Sequence, residues 1–187
     1  MALVVETGAG ILGADSYVAI ADCVQYATAR GLDFGSDDLG DAALRRATSY
    51  IDNTYRVQFP GYRTFRRAQT LEWPRTNAYY TYAEPRGDTP YFVDPRMLYP
   101  FDLIGANTIP PEIIAATCEA AVREYAEPGA LLPDLERGGL ISSLKASSVE
   151  IRYAGGAPGQ AAFQAIEAAL SGLIGARNVY TARAQRV

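Results

Sequence analysis

The chain has no histidine. That removes the Ser–His and Cys–His pairs by which most nucleophiles are activated, and every metal site that uses imidazole. Cysteine is scarce as well: Cys23 and Cys118 both sit in apolar helical stretches. Two such residues make neither a disulfide scaffold nor a Cys/His metal centre, and they read as buried free thiols. No G-x-G-x-x-G or Walker sequence is present, and the glycines of Gly155–Gly159 are not followed by the Lys–Ser/Thr of a phosphate loop, so a plain turn is the reading there. No carboxylates are spaced as in a calcium loop, and Asp37-Asp38 reads as a helix cap. No 18-residue apolar run exists, which excludes a helical membrane span. The opening MALVVETGAG has neither the basic region nor the apolar core of a signal peptide. These absences lead us to expect a protein with no enzymatic activity, no cofactor, no bound metal and no membrane partner, made in a reducing, cytoplasm-like compartment.

What is present is unevenly spread. The 187 residues are 49% apolar, enough for one domain with a core, and 20% charged, low for a free-standing monomer. The formal charge of −4 gives the whole chain no general attraction to nucleic acid or anionic lipid. Yet residues 41–75 hold seven arginines (45, 46, 56, 63, 66, 67 and 75) against Asp41, Asp52 and Glu72, a local +4 that leaves −8 for the remainder. Lys145 is the sole lysine. Arginine is the better interface cation because its planar fork pairs with carboxylates and stacks on rings.

The flanks of this segment read as amphipathic helices. Ile20, Val24 and Ala27 mark a helix over about 20–30 that Gly31 stops. Leu44, Ala47, Ile51 and Tyr55 mark a second over 38–55. Ile109-Pro110-Pro111-Glu112 opens a third, to about 126, with Ile114, Cys118, Ala121, Val122 and Tyr125 as its stripe and Pro128-Gly129 as its stop. Val149, Ile151 and Tyr153 alternate in a strand over 147–153. A last helix over 160–175 carries Phe163, Ile166, Leu170, Leu173 and Ile174. The expected fold is mainly α: a small helical bundle with a short β element and a long Pro/Tyr-rich loop excursion over 56–108. Leu44, Ile51, Ile114, Val122, Phe163, Ile166 and Leu170 are its expected core.

The excursion, YRVQFPGYRTFRRAQTLEWPR and then NAYYTYAEPRGDTPYFVDPRMLYPFDL, is dense in Arg, Tyr, Phe and Pro and has no helical period beyond possible short strands. Three readings stand side by side. Arginines interleaved with Tyr55, Phe59, Tyr62, Phe65 and Trp73 could form a platform for single-stranded DNA. The rings could pack on the helices while the arginines face solvent. Or Tyr, Trp and Arg could anchor a protein interface. A stretch this long is most simply ordered by a partner, with residues 76–107 expected to be mobile in the free subunit and ordered in the assembled particle.

The order of motifs adds to this. VVETGAG…ADSYVAIADCVQYATARG, ALRRATSYIDNTYR…FPGYRT…QTLEWPR, IPPEIIAATCEAA and SSLKASSVEIRYA resemble, over nearly the whole chain, the head–tail adaptor (head-completion or connector) family of long-tailed phages, members of which also carry the label of DnaT-like single-stranded DNA-binding proteins. The Tyr-rich stretch 76–107 is longer than that family's pattern. The resemblance implies a single adaptor domain over 1–187 that forms a ring, commonly of twelve, in the virion neck after synthesis in the host cytoplasm. It implies a portal protein and a tail-side neck or stopper protein as partners, with genomic double-stranded DNA in the channel. Contacts to partner or DNA would fall to Arg63, Arg66, Arg67, Trp73, Arg75, Tyr79, Tyr80 and Tyr82. A C-terminal arm over 176–187, with Arg177, Tyr180, Arg183 and Arg186, would dock on the portal. The alternative, of another class, is a single-stranded DNA-binding protein.

Overall fold

The computed structural model describes residues 2–80, 103–132, 143–146, 149–152 and 163–174. The fold is mainly α with small β elements. Four helices form it: α1 (Ile20–Thr28), α2 (Asp38–Tyr55), α3 (Pro111–Ala126) and α4 (Gln164–Ile174). Each begins close to where local chemistry allows. Asp37 caps α2 by accepting from Gly40 N at 2.8 Å, and Asp38 is the first residue of the helix, where its charge suits the positive end. Pro111 opens α3, where its missing N–H costs nothing. Gly31 and Gly129 follow α1 and α3 at φ +67° and +94°, conformations that favour glycine.

Helix α3 is the hub, packing against α1, α2 and α4. The core joins Cys23 and Ala27 of α1, Leu44, Ala47, Tyr50 and Ile51 of α2, Ile113, Ala116, Ala120 and Ala121 of α3, and Ile166, Leu170 and Leu173 of α4. Both cysteines are free and buried. Burial of Leu44, Ile51, Ile166 and Leu170 follows the sequence pattern, whereas Ile114, Val122 and Phe163 are only half-buried at its margin. Helix α3 is rotated so that Ile113 faces inward and brings two polar residues with it. Thr117 returns its hydroxyl to Ile113 O at 2.8 Å. Glu124 accepts from Gly129 N and Leu131 N, each at 3.0 Å, and from Arg46 of α2. Leu170 is wholly buried. Leu170→Ala is expected to cost ~3 kcal/mol in chemical denaturation; a loss below ~1 kcal/mol would place it outside the core.

Two strand pairs complete the described fold. β1 (Tyr62–Arg63) runs antiparallel to β2 (Arg75–Thr76), with Tyr62 opposite Thr76. β3 (Ser143–Ala146) runs antiparallel to β4 (Val149–Arg152). The single strand expected over 147–153 is therefore the second arm of a hairpin whose two strands flank Ser147-Ser148. The lead-in before α1, residues 2–19, is also organised. Glu6 is buried, and its carboxylate accepts from Gly8 N, Gly10 N and Ile11 N at 2.7–2.9 Å, while Val5 bridges Ser16 in parallel. Among the described residues no helix is long and apolar enough to cross a membrane.

Candidate nucleic-acid interface

Residues 56–80 are not a structureless excursion. Two of their rings fold back on the bundle beside Tyr55 of α2: Phe59 and Trp73 are buried, edge-on to one another at 5.7 Å. Residues 78–80 and 103–104 then meet one another, through Ile104 N to Ala78 O at 2.9 Å and a bridge from Tyr79 to Leu103.

A buried polar cluster sets the position of this segment. Asp52 of α2 accepts from Tyr17 Oη and, at 3.0 Å, from Glu72 N, and Tyr17 Oη accepts from Trp73 N at 3.1 Å. The lead-in, α2 and the Leu71–Trp73 turn thus meet at one carboxylate. Burial lifts the Asp52 carboxyl to about 7, against the pull of the Tyr17 and Glu72 hydrogen bonds. Burial, then the Asp52 charge, holds the Tyr17 phenol well above its ordinary range, so it stays a neutral donor. Glu124 differs. Burial raises its carboxyl too, but the Gly129 and Leu131 amides and the Arg46 guanidinium together outweigh that and hold it below the ordinary value.

The arginines divide into two sets. Arg45 pairs with Asp15, Arg46 with Glu124, and both Arg56 and Arg75 with Glu72. Arg75 is buried, and its fork also donates to Pro60 O at 2.8 Å and Gly61 O at 2.7 Å, tying the two strands' ends. Gly61, at φ +69°, is where a Cβ would strike the Thr76–Ala78 backbone. Arg63, Arg66 and Arg67 form no ion pair among the described residues. With Tyr62 they line an open groove of about 430 Å³.

Gln69 shapes that groove. It is buried, its Oε1 accepts from Phe65 N at 2.9 Å, and its Nε2 donates to Leu71 O at 2.7 Å and Pro74 O at 3.1 Å. Every polar atom of the amide is used, so the turn carrying the arginines is locked to the turn before β2. Within it, Arg66 takes φ +54° in a 3₁₀ turn over Arg66–Ala68. A left-handed arginine is strained, and such strain persists only where the surroundings impose it.

Of the expected contact residues, then, Arg63, Arg66 and Arg67 come together at the surface. Trp73 and Arg75 are corrected: both are inside the chain's own fold, Trp73 with no exposed surface and Arg75 at 6%. Tyr79 and Tyr80 are half-buried, Tyr80 packed against the core. Tyr82, Arg177, Tyr180, Arg183 and Arg186, and the arm 176–187, lie outside the described residues. The sequence reading missed Gln69, Asp52 and Tyr17 as organisers. The one available signal was an uncharged Gln inside an arginine run.

No curated protein and no solved structure matches the chain. A family profile does match, over residues 1–90 and 95–187, and carries the description "Putative DnaT-like ssDNA binding protein". Because that match spans nearly the whole sequence, groove and Asp52 cluster included, the chain belongs to this DnaT-like family.

Proposed function

We propose that the chain contacts DNA through the groove of Arg63, Arg66 and Arg67. One observation carries this reading. On a chain of net charge −4, these three guanidiniums have no acidic partner among the described residues, while the other four arginines of the segment are ion-paired. Guanidiniums held at a surface without counter-charge are suited to phosphate. The family description favours single-stranded DNA as the ligand, and that is the first reading.

The second reading places the same groove in a head–tail adaptor of a long-tailed phage or gene-transfer particle. The ordered motifs resemble that family, and the charge count supports multiple copies. Three cations per chain hold phosphate weakly at physiological salt, since each contact adds only ~0.7–0.9 to the salt slope. Copies set side by side in a ring multiply the contacts with no new chemistry. In this role the ring joins portal to tail-side neck protein, its arginines turned to the DNA that passes through.

Fluorescence anisotropy with a ~20-nucleotide single strand and the matching duplex, from ~20 to ~200 mM salt, tests both. The expected result is single-strand binding with a log–log salt slope near −2, reduced by about 0.7 in each of Arg66→Gln and Arg67→Gln. Equal binding of duplex and single strand, seen only for a closed oligomer in sedimentation, selects the adaptor. Absence of binding to either at ~20 mM salt overturns DNA contact altogether.

A further inference from the structure

We infer that Phe65 and Tyr62 form a two-ring platform on which unpaired bases stack beside the arginine groove; this rests on the DNA-contact reading. Of the five rings between residues 55 and 73, Tyr55, Phe59 and Trp73 are buried, but Tyr62 is 51% and Phe65 43% exposed. Leaving two rings half in water forgoes hydrophobic stabilisation, and the fold spends structure on keeping them there.

Phe65 is held from behind. Its ring lies on Gly10, where any Cβ would overlap it, and Gly10 has φ +69°, a conformation suited to glycine. Its backbone N–H is held by the Gln69 amide. Tyr62 is fixed in β1 opposite Thr76, and Thr64 bonds to the Thr76 hydroxyl at 3.0 Å and to Ala106 O at 2.8 Å. The rings alternate with the cations as Tyr62, Arg63, Phe65, Arg66, Arg67, all within one short stretch. The left-handed backbone at Arg66 turns the chain between ring and cation.

The chemistry of the two residue types differs. Guanidiniums attract phosphate on any strand. Rings need a base face, and a duplex hides its base faces in its own stack. A groove with both selects a strand whose bases are free, and because every base has a π-face, it does so with little regard to sequence. Arginine alone would attract duplex as readily as single strand.

The test compares a 12-nucleotide thymidine oligomer with an abasic oligomer of equal length and charge at ~20 mM salt. The intact chain is expected to prefer the thymidine oligomer about tenfold or more. Phe65→Leu keeps an apolar contact with Gly10 but has no π-face, and Tyr62→Ala removes the second ring. Each should lose most of the preference while keeping the salt slope of the intact chain. Arg66→Gln should weaken both oligomers alike and lower the slope. Equal affinity of the intact chain for the two oligomers, with loss in Arg66→Gln, overturns the platform and leaves the arginine contact standing. Failure to bind either oligomer overturns both.

Discussion

Trp73→Ala is expected to destabilise the chain by ~3–5 kcal/mol, the range for emptying a fully buried large aromatic site. Trp73 has no exposed surface and packs edge-on against Phe59, and its backbone N–H is bonded to Tyr17 Oη. The next residue in the chain is Pro74, whose O is one of the two carbonyls that receive the Gln69 amide. Loss of the indole would therefore loosen more than a cavity wall. It would free the return arm of the segment whose outgoing arm carries Arg63, Arg66 and Arg67. The polar end of the indole behaves differently. Among the described residues Trp73 Nε1 has no hydrogen-bond partner. Trp73→Phe sheds that buried orphan donor, which offsets part of the lost volume, and its cost should stay below ~2 kcal/mol. Denaturant titration of the two variants measures both numbers. A cost below ~1 kcal/mol for Trp73→Ala would mean that the ring is not a core element.

The helices were legible because their signals are local. Leu44, Ala47, Ile51 and Tyr55 repeat at helical spacing, and all four are buried. Helix α3 shows where periodicity stops being enough. PPEIIAATCEAAVREY is apolar or small on most sides, so stripes through Ile113 and Ile114 compete on nearly equal terms. What decides between them is non-local: backbone amides at Gly129 and Leu131 and the Arg46 guanidinium wait for Glu124. The segment from Arg56 to Tyr80 was not legible for the same reason, taken further. It is held by side chains that bond to backbone across turns, as Gln69 does to Phe65, Leu71 and Pro74, and by Asp52, which reaches Glu72 and Tyr17 from α2. No period records such bonds. The arginine patch was legible as composition, but its division into four ion-paired members and three with no ion pair among the described residues was not, because Asp15 and Glu124 lie 30 and 78 residues from the arginines they neutralise.

Raising the pH from about 5 to about 8 is expected to lower the melting temperature, and Asp52→Asn is expected to flatten that decline. Asp52 faces Tyr17 from the lead-in, Glu72 from the β1–β2 segment, and Arg56 from its own helix end. Burial raises its carboxyl from an ordinary 3.8 to about 7. A raised carboxyl means that the folded chain holds the proton more tightly than the unfolded chain does. Its stabilising contribution is then complete below the ordinary value and is lost as pH rises through about 7. A shift of about three units corresponds to about 4 kcal/mol in all, of which the two units between pH 5 and about 7 carry about 3 kcal/mol, on the order of 5–10 °C for a chain of this size. Glu124 works in the opposite sense. Its lowered carboxyl contributes stability above the ordinary 4.5 that is lost as pH falls through its folded value. The two together place the stability maximum on the acid side of neutrality. Asparagine at 52 can still accept from Tyr17, but its amide nitrogen would meet Glu72 N–H, so the variant should be weaker than the parent at pH 5 while its melting temperature changes little up to pH 8. The slope is thus the quantity that reports on Asp52, and a parent and variant with parallel melting curves across this range would show that the Asp52 carboxyl titrates at its ordinary value.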